Sequence, residues 1–119
     1  MITGIGVDLI EVGRVQKACQ KDSFLRRCFT ELEQKLIEAD INKAADNYAV
    51  KEAVAKMLGT GFRKFALMDI EVLRDPVGKP YVILHGEAEK LAREQGIAMI
   101  HVSISNTREY ANAFVVGEK

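Results

Sequence analysis

Apolar and polar positions alternate from the first residues of this chain. Ile5, Val7 and Leu9 fall on one side of the run 2–10, and Gly4, Gly6 and Asp8 fall on the other. A period of two predicts a strand, with one apolar face and one nearly bare face that ends in a carboxylate. Glycine inside a strand marks a place where something approaches the backbone closely. The period then lengthens. Residues 11–22 predict a short helix with Val12, Val15, Ala18 and Cys19 on its buried side. Thr30 and Glu33 have the spacing of a capping box, opening a helix to about Ala39 with Leu32, Leu36 and Ile37 inward. An alanine-rich helix from about Lys43 to Leu58 stops at Gly59, a natural C′ residue.

Past Gly59-Thr60-Gly61 the period returns to two. Met68, Ile70 and Val72 alternate with Asp69, Glu71 and Leu73, which predicts a strand; a turn at Asp75-Pro76-Val77-Gly78-Lys79-Pro80 leads into another, ending at Leu84. Gly86 to Gln95 predicts a helix closed by Gly96. Strands at 97–105 and 110–116 follow, joined by Asn106-Thr107-Arg108-Glu109. The order β-α-α-α-β-β-α-β-β predicts an α+β fold with a mostly antiparallel sheet. With no repeat, linker or low-complexity segment, residues 1–119 are expected to form a single domain.

Composition narrows the function classes. Apolar residues make up 48% of the 119 residues and charged ones 29%, the balance of a globular chain rather than a disordered one. No apolar run nears the ~20 residues of a membrane span. The N-terminus lacks a basic segment and carries Asp8 and Glu11, unlike a signal peptide. Cys19 and Cys28 have no partners at metal spacing and are expected as free thiols, so the expected location is cytoplasmic. The 17 Lys+Arg and 17 Asp+Glu cancel, and the aromatics are sparse, which argues against nucleic acid as a partner. The charge is unevenly spread, however. Five basic residues against one acid between Arg14 and Cys28 leave room for docking an acidic protein.

Two carboxylates stand out. Asp8 lies on the glycine-lined strand face, where it either reaches solvent or caps a turn, or meets a ligand. Glu52 shares a helix face with Tyr48, Ala49 and Lys56. It is either half of a surface pair with Lys56 or a carboxylate that a close-packed neighbour would bury. Two such groups, if they converge, suit Mg²⁺, which takes one or two protein carboxylates and completes its shell with water and substrate phosphate. His101, Ser103 and Ser105 form a polar stripe on one late strand, facing either solvent or a phosphate. No Ser-His-Asp order and no P-loop ending is present.

Together these features acquire a resemblance. GIGVDLIEVGRV at 4–15, FTELE at 29–33, YAVKEAVAKMLGTG at 48–61, GKP at 78–80 and HVSIS at 101–105 are similar, in order and at suitable distances, to the blocks of the small bacterial holo-acyl-carrier-protein synthases, a family of phosphopantetheinyl transferases. The resemblance implies an α+β homotrimer with active sites at subunit interfaces. It implies transfer of the phosphopantetheine arm from coenzyme A to a serine of apo acyl carrier protein, releasing 3′,5′-ADP, in fatty-acid biosynthesis. Asp8 and Glu52 match the Mg²⁺ carboxylates and, with Lys56, the catalytic group. Lys51, Lys56 and His101 match positions near the coenzyme phosphates, and Gly78-Lys79-Pro80 lies where the adenine is held. The helix carrying Arg14, Lys17 and Lys21 matches the one that docks the acidic carrier protein.

The chain also departs from the family. Where relatives carry arginines ahead of the aromatic, it has Asn42, Lys43 and Asn47, and position 106 is Asn. Lys43 is expected to substitute as the phosphate contact, and Asn47→Arg is expected to tighten coenzyme A binding. A non-catalytic relative that binds coenzyme A or a carrier protein is the rival reading; a small α+β interaction domain with a basic docking helix is a third.

Overall fold

The structure, a computed structural model, describes residues 1–119. Its centre is the contact between the first strand, β1 (Ile2–Glu11), and the long helix α4 (Asn42–Leu58). The bare face of β1 is the one turned inward. A Cβ on Gly6 would lie 1.8 Å from the Ala53 carbonyl oxygen, and one on Gly4 would lie 2.7 Å from that of Met57. The glycines therefore let helix and strand meet backbone to backbone. On the helix side Ala45, Ala49 and Ala53 are fully buried, so both surfaces are small-residue surfaces.

β1 is one edge of a three-stranded antiparallel sheet of order β1-β5-β4, built with β4 (Met99–Asn106) and β5 (Tyr110–Glu118). Val7 lies opposite Phe114, which lies opposite Ser103. Strand alternation sends Ala111, Ala113 and Val115 into the core and Phe114 out. The expected apolar face of β1 points away from the core: Ile5, Val7 and Leu9 are 59%, 51% and 61% exposed. A second sheet is the hairpin of β2 (Ile70–Arg74) and β3 (Pro80–Leu84), and α5 (Gly86–Glu94) follows it.

The α+β class and the antiparallel pairing match the expectation. The expected helix over 11–22 is instead two: α1 (Val12–Ala18) and a separate α2 (Asp22–Cys28). No glycine or proline separates them in sequence. The break comes from packing, which places Phe24 against Phe29 and stacks it on Tyr48 of α4 at 6.1 Å. The capping box of α3 (Glu31–Ala39) forms as predicted between Thr30 and Glu33. Its inward face differs, for Leu32 is exposed and Glu33 is fully buried. Met68 and Asp69, expected in a strand, lie in a 3₁₀ turn (Leu67–Asp69), where Asp69 accepts the Ala66 N–H. Gly59 closes α4 at φ +83°, as its position demands.

Candidate active site

Because Gly6 seats β1 on α4, Asp8 arrives beside the helix face that carries Glu52 and Lys56. The Lys56 ammonium donates to Asp8 Oδ1 at 2.7 Å and to the Val7 carbonyl at 3.1 Å. Lys56 thus turns away from the surface pair with Glu52 and onto the strand. Burial pushes the Glu52 carboxyl above its ordinary value, and the charge of Asp8 adds to the effect; the Tyr48 hydroxyl and the Lys56 charge pull partly back. The two carboxylates therefore sense one another, and the negative charge is incompletely balanced. All the donors are oxygens on a rigid helix and strand, the kind of set a hard divalent cation selects.

The other expected site residues divide into those the fold offers to a ligand and those it does not. Lys51 is not offered to a ligand within this chain. It is fully buried, and its ammonium donates to Glu33 Oε1 at 2.8 Å, to the Leu67 carbonyl at 3.0 Å and to the Ile70 carbonyl. An ammonium has three donors, and all are spent. None is left for a coenzyme phosphate. Asn47 is likewise engaged within the chain. Its amide donates to Glu33 Oε2 and the Val72 carbonyl, and its oxygen accepts from Arg74 at 2.8 Å. It too is fully buried, so an arginine there would disrupt the core rather than tighten coenzyme A binding.

Lys43 is half-buried, paired with Asp40 at 3.4 Å, and lines a polar cavity of about 600 Å³ with Asp46, Asn106 and Arg108. Nine residues separate it from Glu52, two and a half turns or roughly 13 Å, so it faces the opposite side of α4. Asn106 is used within this cavity wall, donating to both oxygens of Asp46.

His101 and the Gly78-Lys79-Pro80 turn are brought together. Lys79, Pro80 and His101 line a cavity of about 290 Å³ between the β2–β3 turn and β4. This cavity is remote from Asp8. Asp8 lies opposite Ala113, which lies opposite Ile104, three residues from His101. Two strand spacings across and three residues along put His101 roughly 14 Å away, on the other face of the sheet. Within one chain the carboxylates and the cluster of Lys79, Pro80 and His101 lie apart.

Arg14 and Lys17 lie on α1 with buried Val12 and Val15, whereas Lys21, expected on the same helix, lies past its end and directly before α2. All three border a concave surface of about 560 Å³ that α2 completes with Ser23, Phe24 and Arg27. Sequence reading missed the contribution of α2 because it missed the helix; the one available signal was the basic excess continuing through Arg27. It also missed Glu33, whose place in the capping box concealed its role as the counter-ion of Lys51.

A glycine-seated carboxylate pair with an adjacent lysine, on a small α+β fold, is an arrangement that suits a phosphate-handling transferase. The comparisons are specific. The model of the 4′-phosphopantetheinyl transferase superfamily matches residues 4–114. A holo-[acyl-carrier-protein] synthase of Lachnoclostridium phytofermentans is 60% identical over 99% of this chain and 97% of its own. The crystal structure of holo-[acyl-carrier-protein] synthase from Neisseria meningitidis superposes over the whole of both chains with a TM-score of 0.90 at 33% identity. A Bacillus anthracis holo-(acyl-carrier-protein) synthase in complex with CoA (3′,5′-ADP) is similar at a TM-score of 0.80 and 36% identity, over 98% of this chain and 96% of that one. The chain belongs to the 4′-phosphopantetheinyl transferase superfamily and is a transferase.

Proposed function

We propose that residues 1–119 act as one domain that transfers the 4′-phosphopantetheine arm of coenzyme A to a serine of apo acyl carrier protein in fatty-acid biosynthesis, in the cytoplasm. The observation that carries the reading is the convergence of Asp8, Glu52 and Lys56 at the β1–α4 crossing. The new bond joins the serine oxygen to the phosphorus that bears pantetheine. The bond broken is that phosphorus–oxygen link to the adenosine half, which leaves as 3′,5′-ADP. Such a step needs little covalent help and much charge neutralisation. Asp8 and Glu52 would hold Mg²⁺, which supplies that neutralisation on the pyrophosphate. Lys56 contributes a cation from the same helix face, and its salt bridge to Asp8 keeps the carboxylate oriented toward the site.

The two separated clusters, read as half-sites, support a homotrimer with shared active sites. The outer sheet face, with Ile5, Val7, Leu9 and Phe114 exposed, is the surface a second copy would cover. That pairing would bring Lys79 and His101 of one copy to a coenzyme held at Asp8 and Glu52 of its neighbour. Arg14, Lys17 and Lys21, extended by Arg27, supply the positive face for an acidic carrier protein. The non-catalytic alternative drew on the missing arginines, and the structural use of Asn47 takes away half of that support.

The test is direct. The protein, apo acyl carrier protein, coenzyme A and Mg²⁺ are incubated and the carrier is weighed. A gain of one phosphopantetheine is expected from the native chain and none from Asp8→Ala or Glu52→Gln, with circular dichroism unchanged. A carrier of unaltered mass with the native chain, or full transfer by either variant at limiting Mg²⁺, overturns the assignment.

A further inference from the structure

The transfer reaction makes no use of one contact on the outer face of the sheet. His101 Nε2 lies 2.9 Å from Glu118 Oε1. The pair is diagonal across two strands, since His101 sits opposite Val116 and Met99 opposite Glu118. The histidine holds the Glu118 carboxyl below its ordinary value, first through the hydrogen bond and then through its charge. Glu118 is therefore ionised at neutral pH and can only accept, so Nε2 carries the hydrogen. The outward nitrogen of His101 is already engaged by an anion.

The surroundings are arranged differently. Asp75, the acid in the His101 cavity, is tied into its own turn through one oxygen, where Oδ1 accepts the N–H groups of Val77 at 3.0 Å and Lys79 at 2.8 Å. Lys79 and His101 are then the cavity's side chains able to donate to a phosphate, and of the two only His101 is met by a carboxylate. Within a single chain both partners of that pair are about half exposed, at 50% and 41%. An exposed pair of this kind is weak and exchanges readily. A phosphate carries more charge and more acceptor oxygens than a carboxylate, and it would win the same donor.

We propose that Glu118 is a built-in competitor for a phosphate of coenzyme A, occupying His101 Nε2 in the free enzyme and yielding it when the coenzyme binds. Glu118 thereby sets how much anionic charge a ligand needs in order to enter this half-site, and it takes no part in the transfer step. The inference rests on the reading of His101 as a phosphate contact given above.

Glu118→Gln keeps the size and removes the charge. Coenzyme A titrated calorimetrically into this variant at low salt and neutral pH is expected to bind up to about fivefold tighter than to the native protein, the upper end of a weak exposed pair. KM for coenzyme A should fall in parallel while kcat stays unchanged. His101→Ala should bind more weakly, and adding Glu118→Gln to it should gain nothing further. Unchanged or weaker binding by Glu118→Gln alone overturns the competition, as does a gain that persists without His101. Native affinity in His101→Ala is a separate outcome, which removes the phosphate reading of His101 and with it the basis for the competition.

Discussion

Lys51 and Glu33 have no solvent contact at all, and together they tie α3, α4 and the start of β2 into one body. Glu33 is more than a partner. One oxygen takes Lys51 and the Thr30 N–H, and the other takes Asn47 and the Val72 N–H. Removing one member of a buried ion pair leaves an unpaired charge and costs about 3–5 kcal/mol. Lys51→Met should therefore lower the midpoint of urea unfolding sharply, and Lys51→Met combined with Glu33→Gln should recover part of the loss. If Lys51→Met unfolds like the native protein and only coenzyme A binding suffers, Lys51 belongs to the site after all. The neighbouring residue Glu52 is on the same helix yet has the opposite fate. One step of 100° turns it from the core toward Asp8 and a ligand.

At the scale of elements, the catalytic geometry depends on how closely β1 approaches α4. A methyl group on Gly6 would lie well inside the contact limit of the Ala53 carbonyl, and backbone on both sides leaves little room to give. Overpacking usually costs about 1–3 kcal/mol, and Gly6→Ala belongs at or above the top of that range because neither element can yield alone. We expect a much lower melting temperature, together with loss of transfer activity because Asp8 moves off Lys56 and Glu52. Gly13 is the internal control. Nothing lies within 4 Å of a Cβ built there, and it sits in α1, so Gly13→Ala should stabilise by about 0.5–1 kcal/mol. Equal melting temperatures for the two variants would show that the close approach carries no constraint.

For the whole molecule, the apolar strand face is an unexplained exposure unless a second copy covers it. Ile5, Val7 and Leu9 line the edge strand, and Phe114 stands beside Val7 on the central one. Contiguous apolar surface of this kind on a small domain marks an interaction site. Val7→Glu should convert a trimer in sedimentation velocity into monomer and remove transfer activity, because each half-site would lose its complement. The native protein sedimenting as a monomer at micromolar concentration would refute the shared-site arrangement.

Local pattern alone determined a great deal here. Helix α3 with its capping box, the stop of α4 at Gly59, the two faces of β1 and the polar stripe of β4 follow from periodicity and from backbone rules that act over a few residues. Asp8 and Glu52 stood out because small residues surround them, and close packing needs small residues wherever it occurs. Which face of β1 turns inward was beyond the pattern. Apolar character argued for Ile5, Val7 and Leu9, but the core took the glycines, because only they admit α4 at that distance. The fates of Lys51, Asn47 and Leu32 were equally hidden. A lysine is read as exposed until a buried Glu33 from another helix is found to receive it, and that meeting joins residues 18 apart in the chain. The split of α1 from α2 and the separation of the two half-sites also depend on contacts between distant segments, which only the folded chain supplies.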